Sequence, residues 1–184
     1  MLRFYRSIRS SFTANYPGQA AAEFAVVVPL LILLICGSID LGRALNDVQI
    51  MADLTRQGSN LASRGTPLNE ATSALVSGAS GLDLVDNGDV IITSVTNESG
   101  AYKISGQDSS TTDGLTKLSS TSKIGTGVGS TATLPAAAQS AIPQSGQTLF
   151  ITEVFYSFAP ATPIGALTNS AISMPSTLYN SAYF

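Results

Sequence analysis

Residues 24–39 read FAVVVPLLILLICGSI, an uncharged run in which Ser38 carries the only polar side chain. With Ala20, Ala21, Ala22 and Glu23 in front of it, the run reaches about 20 residues, roughly 30 Å as a helix, which matches the hydrocarbon core of a bilayer. A cleavable secretory signal fits poorly, because Glu23 interrupts the apolar region and no small-x-small site follows Ile35 at a usable distance. Cys36, preceded by the bulky Ile35, is an equally poor lipoprotein site and reads as a packing residue of a retained membrane helix. Pro29 removes one hydrogen bond inside that helix, so a kink or local melting is expected there.

Towards the N-terminus, Arg3, Arg6 and Arg9 are the only charges in the first 22 residues. Arginines placed just before a single span hold that end on the cytoplasmic side. Towards the C-terminus, residues 40–63 (DLGRALNDVQIMADLTRQGSNLAS) continue the helical spacing. Leu41, Leu45, Val48, Ala52 and Thr55 form the stripe that should face a cover outside lipid. Gly65, Thr66 and Pro67 then end the helix, with Thr66-Pro67 suited to the N-cap and first position of a new one. A helix from Gln19 to Ser63 would be about 68 Å long, and only its first half can lie in a membrane.

Residues 67–77 (PLNEATSALVS) predict a short second helix with Leu68, Ala71, Leu75 and Val76 on its apolar face, closed by Gly78 and Gly81. The period then becomes strand-like. Residues 90–96 (VIITSVT) and 101–105 (AYKIS) predict a hairpin across Asn97-Glu98-Ser99-Gly100, and turn chemistry explains Asn97 better than a glycosylation role. Residues 106–146 are rich in Ser, Thr, Gly and Ala and predict a long flexible surface loop. Within it, Gly125-Thr126-Gly127-Val128-Gly129 lacks the leading strand and following helix that a phosphate-binding loop requires. Residues 148–158 (TLFITEVFYSF) are the strongest strand, ended by Pro160 and Pro163, and residues 178–184 a weaker last one. The expected fold class is α+β. A long N-terminal, partly transmembrane helix and a short second helix are joined to a small antiparallel sheet with long loops, the sheet's 148–158 strand covering the outer half of the helix.

The chain has 184 residues, of which 11% are charged, well below the roughly 25% of a typical soluble domain. Mean hydropathy is +0.26 and the isoelectric point about 4.7. A net charge of −3 argues against nucleic acid as a partner, since phosphate binding needs clustered Lys and Arg. Histidine is absent, which removes the commonest general base and the Ser-His-Asp triad. A single cysteine excludes an intramolecular disulfide and a cysteine-based zinc site. Asp83, Asp86 and Asp89 lack the spacing of an EF-hand and read as a solvated turn, with calcium as the lesser alternative. No catalytic constellation, metal site or cofactor is expected.

The most informative residues are Gly18-Gln19-Ala20-Ala21-Ala22-Glu23-Phe24. A glycine closes a short basic leader, a glutamate follows five residues later, and an aromatic comes directly after it. This junction resembles the processing site of type IV prepilins. With PLLILLICGSIDLGRAL, SKIGTGVGS and EVFYSFAP, the chain is similar to TadE-like minor pseudopilins of the tight-adherence pilus. The resemblance implies a leader at 1–18, cleavage between Gly18 and Gln19 by a prepilin peptidase, a transmembrane half of the helix at 19–39, an extracytoplasmic half at 40–64, and a head at 65–184. It implies a role for Glu23 and Phe24 in assembly. It also implies partnership with the major pilin, other minor pseudopilins, the inner-membrane assembly platform and membrane lipid. The first residue after the cut would be Gln19, where common type IV pilins carry phenylalanine.

Cleavage would give Gln19 a positive amine four residues before Glu23, within reach on one helix face. Such a pair, within a subunit or between neighbours, competes with a simpler role in which Glu23 favours the positive end of the helix dipole. The alternative to a filament subunit is a single-pass, membrane-anchored extracytoplasmic adhesion or envelope module.

Overall fold

The computed structural model describes residues 17–141, 144–162 and 176–184. Arg3, Arg6 and Arg9, and Pro163, lie outside the described residues. Helix α1 runs over Pro17–Ser63, and helical structure carries through Pro29 without the local melting expected there. The proline lacks the N–H that would have met the carbonyl of Ala25. α1 ends where Gly65, at φ +88°, turns the chain. Gly65 N–H bonds to the Ala62 carbonyl and Thr66 N–H to the Leu61 carbonyl, a Schellman-type stop. Helix α2, Leu68–Gly78, follows with Pro67 rather than Thr66 in the capping position. It buries Ala71, Thr72 and Leu75.

A short turn of helix, α3 (Leu84–Asn87), leads into strands β1 (Gly88–Glu98) and β2 (Ala101–Ser109). Both strands are longer than the sequence pattern suggested. Ser99 at φ 54° and Gly100 at φ 95° make the two-residue connection, the doubly left-handed turn that matches strand twist. The Asn97 side chain accepts a bond from Gly100 N–H at 2.8 Å, so its role here is in the turn. After a short helix α4 (Ala136–Gln139) come β3 (Thr148–Ser157) and β4 (Thr177–Tyr183). Among the described residues the strands form one antiparallel sheet in the order β2-β1-β3-β4.

The sheet separates two apolar layers. On one face Val90, Ile92, Val154 and Leu178 pack with Met51, Leu54 and Ala62 of α1 and Ala71 and Leu75 of α2. On the other, Val95, Ile104, Leu149 and Ile151 are covered by Ile124, Ala132, Leu134 and Ala138. That second cover corrects the expectation of a bare surface loop at 106–146. Its first four residues complete β2, and the described remainder, though mostly irregular, forms a third layer by turning Ile124, Ala132, Leu134 and Ala138 inward while Val128 stays exposed. The Gly125, Gly127 and Gly129 run, all at positive φ, wraps the outer edge of β2. There Gly129 N–H bonds to the Ile104 carbonyl at 2.7 Å, and Ile104 N–H to the Ser130 carbonyl at 3.0 Å. The edge strand is thereby covered.

α1 lies on β3 and β4, as the sequence led us to expect, with Val48 and Thr55 of the expected stripe inward but Leu41 and Leu45 outward. Leu41 and Leu45 are 53% and 55% exposed. The covered face instead carries Ala44, Val48, Met51, Thr55, Gly58, Ser59 and Ala62. Small residues win because they let the helix backbone approach the sheet. A Cβ built on Gly58 would lie 2.7 Å from Thr152 Oγ1 and 2.6 Å from Leu75 Cδ1. At this crossing Thr152 N–H donates to Ser59 Oγ at 3.1 Å, while Ser59 Oγ donates to the Ala182 carbonyl at 2.8 Å.

Candidate assembly and processing site

The first half of α1 is bare. Phe24 is 67% exposed, and Leu30, Leu31, Ile32, Leu34 and Ile35 are all exposed beside it. The helix holds an 18-residue window of mean hydropathy 2.5, only 6% of it covered by the rest of the chain. A core helix of a soluble domain would have that window buried. Among the described residues little covers this window, and the helix is long and apolar enough to cross a membrane.

Gly18 and Gln19 sit in the first turn of α1, both exposed, and nothing approaches the position of a Gly18 Cβ. The peptide bond between them belongs to the turn whose N–H groups lack intrahelical partners, so opening it into an extended strand costs little. Glu23 is exposed as well, and its Oε1 accepts a bond from Gln19 Nε2 at 3.0 Å. The structure thus brings Gln19 and Glu23 together on one helix face. Phe24 projects from the bare span, and Pro29 lies further along it.

Two buried carboxylates beyond the span were missed as site residues from sequence. Asp40, one residue past the apolar run, is only 2% exposed. It accepts bonds from the N–H groups of Ala161 and Thr162, at 2.9 and 3.3 Å, and from the Thr162 hydroxyl. This joins the point where the helix leaves its apolar stretch to the chain just after β3. Its signal was phase: Asp40 falls on the same face as Ala44, Val48, Met51 and Thr55.

Glu153, on β3, is fully buried. It accepts from Lys123 N–H at 2.9 Å, from the Tyr179 hydroxyl at 3.0 Å and from the Ser122 hydroxyl. The Lys123 ammonium lies 3.4 Å from the centre of the Tyr179 ring. Burial, and then the neighbouring Glu153 charge, push the Tyr179 hydroxyl up to about 12, against the opposing pull of Ser181. The cluster latches the covering layer to the sheet.

The Asp83, Asp86 and Asp89 group does not act as one solvated turn. Asp83 caps α3 by accepting from Asp86 N–H at 3.2 Å, and Asp86 pairs with Lys117 at 2.6 Å. Asp89 is buried and accepts from the Ser109 and Ser110 hydroxyls and from Ser120 N–H. Its carboxylate organises the start of the covering layer, because a buried charge needs such donors.

Fold and site together define a small α+β head carried on one uncovered apolar helix. The family model described as TadE-like protein matches residues 18–60, from the junction glycine along α1 almost to its end. The match falls on the same junction and helix from which the resemblance was drawn. No curated protein and no solved structure matches the chain.

Proposed function

We propose that this chain is a minor pilin or pseudopilin of a tight-adherence system. It is inserted with its N-terminus in the cytoplasm and its head outside, cut between Gly18 and Gln19 by a prepilin peptidase, and drawn from the inner membrane into pilus assembly for surface attachment. The observation that carries this reading is the placement of Gly18, Gln19, Glu23 and Phe24 at the start of a bare apolar helix, with the TadE-like match beginning at Gly18. The arginines at 3, 6 and 9 keep the junction on the cytoplasmic side. Glycine before the cut lets the backbone enter a protease cleft with no side chain in the way. Once cut, the new Gln19 amine pairs with Glu23 in the same subunit or in a neighbour, shielded from water. The partners are the peptidase, the major pilin, other minor pseudopilins, the assembly platform and lipid. The large head distinguishes this subunit from a major pilin that is little more than a helix.

The test is to express the chain with and without a matching prepilin peptidase and to read the N-terminus. A mature chain beginning at Gln19 supports the pilin reading. An intact Met1 terminus in the presence of the peptidase supports the anchored module that never enters a filament.

A further inference from the structure

The residue that cleavage would expose is a glutamine, and its side-chain amide is held by a carboxylate in the structure. Gln19 Nε2 donates to Glu23 Oε1 at 3.0 Å, across the exposed first two turns of α1, where neither side chain is packed against the head. In the uncut chain the Gln19 nitrogen is an amide and has no nucleophilic lone pair. Cutting the Gly18–Gln19 bond turns it into an amine, one side chain away from its own amide carbon.

We infer that the mature N-terminus is a modification site at which Gln19 closes on itself to a pyroglutamyl ring, with Glu23 as the proton relay. This inference rests on the proposed cleavage after Gly18. The neutral amine attacks Cδ, so the Nα–Cδ bond forms and the Cδ–Nε2 bond breaks. One amine proton passes through the Glu23 carboxylate to Nε2, and ammonia leaves. The product is a five-membered lactam, and no oxidant or reductant takes part. Glu23 suits the relay because it already contacts the nitrogen that must depart, and a general acid–base group must lie within hydrogen-bond reach of the proton that moves. Ring closure discharges the terminus, so the ion pair between the Gln19 amine and Glu23 belongs only to the subunit before closure. A terminal phenylalanine could not undergo this reaction, because it has no amide.

The experiment uses the full chain co-expressed with a prepilin peptidase, solubilised in detergent and followed over time by the mass of its N-terminal peptide. The expected result is a mature peptide lighter by one ammonia, blocked to Edman degradation and reopened by a pyroglutamyl aminopeptidase. Gln19→Asn keeps an amide at the terminus but would need a four-membered ring, and it should stay at full mass. Glu23→Gln should slow closure by up to about a hundredfold. A cut chain that keeps a free or methylated Gln19 amine overturns the inference while the cleavage stands. Closure at the same rate in Glu23→Gln overturns the relay. An intact Met1 terminus with peptidase present overturns the cleavage itself and is read in the same spectrum.

Discussion

Asp40 and Thr162 are 122 positions apart in the chain and meet where the apolar half of α1 gives way to the head. The carboxylate takes both the N–H and the hydroxyl of Thr162, so the helix and the segment after β3 are tied at the edge of the span.

Removing that tie should loosen one corner and leave the sheet intact. In Asp40→Ala, the backbone amides of Ala161 and Thr162 should exchange with solvent faster than in the parent chain, while amides of β1 and β3 keep their protection. Thr162→Val, which spares the backbone bonds, should give an intermediate effect. Unchanged exchange at 161 and 162 in Asp40→Ala would show that the carboxylate does not hold the corner.

Gly58 permits a close approach of α1 to the sheet. Gly58→Ala gains up to about 1 kcal/mol in helix propensity but forces a methyl against Thr152 and Leu75. Overpacking of this sort costs about 1–3 kcal/mol, so the variant should be net destabilised in chemical denaturation. Gly58→Ala combined with Thr152→Ser, which removes one of the two clashing Thr152 atoms, should recover part of the loss.

Glu153→Ala leaves the Ser122 hydroxyl, Lys123 N–H and Tyr179 hydroxyl without their acceptor and opens a cavity. A loss of about 3–5 kcal/mol is expected, measurable by urea unfolding. Tyr179 supplies a second readout. Its raised value means that the folded state holds the phenolic proton more tightly than the unfolded chain does. Stability is therefore present below the ordinary tyrosine range, near 10, and is lost as pH rises from there towards about 12. In Glu153→Gln one repulsive charge is gone, so Tyr179 should ionise at lower pH in an ultraviolet titration.

Asp108 offers a second test of the same sign at lower pH. One of its oxygens is buried with no hydrogen-bond partner among the described residues. Burial raises its pKa despite a bond from Thr72, and the nearby Asp113 charge adds to the rise. The folded state thus favours the protonated form, so ionised Asp108 detracts from stability as pH climbs from the ordinary carboxylate range, near 4, through its raised value. Asp108→Asn should melt at a higher temperature than the parent at neutral pH, and the difference should shrink on acidification towards pH values near 4. A variant that melts lower at neutral pH would contradict this assignment.

Glu23→Ala should still be cut and still reside in the membrane, because the apolar helix is unchanged. It should nevertheless fail to join or support the pilus, since a subunit that assembles before ring closure would strand its terminal amine in a shielded site at a cost of about 3–5 kcal/mol. Counting surface pili and co-purifying subunits with the variant as the only copy checks this. Normal piliation would leave Glu23 with its dipole role alone, worth about 0.3–1 kcal/mol. Gly18→Val should block processing while insertion continues, and cutting at Gln19 in that variant would remove the proposed role of Gly18.

The apolar run at 24–39, the helix through residue 63, the 97–100 turn and the strong 148–158 strand were legible from the sequence, because each rests on local rules: span length, helical period, turn residues and β-branched composition. The pattern from Gly18 to Phe24 is linear as well and needs no fold to be read, and the structure adds to it the contact between Gln19 and Glu23. The buried carboxylates were not. Asp40, Asp89 and Glu153 look in sequence like any surface acid, and only the fold brings to each the donors that make its burial tolerable. The inward stripe of α1 was legible only in part: the helical period placed Val48 and Thr55 inward, but hydrophobicity also pointed to Leu41 and Leu45, whereas the contact selected Gly58, Ser59 and Ala62 for their size. Close approach between distant segments depends on which backbones meet, and that is decided only when the sheet, the helix and the covering layer are assembled.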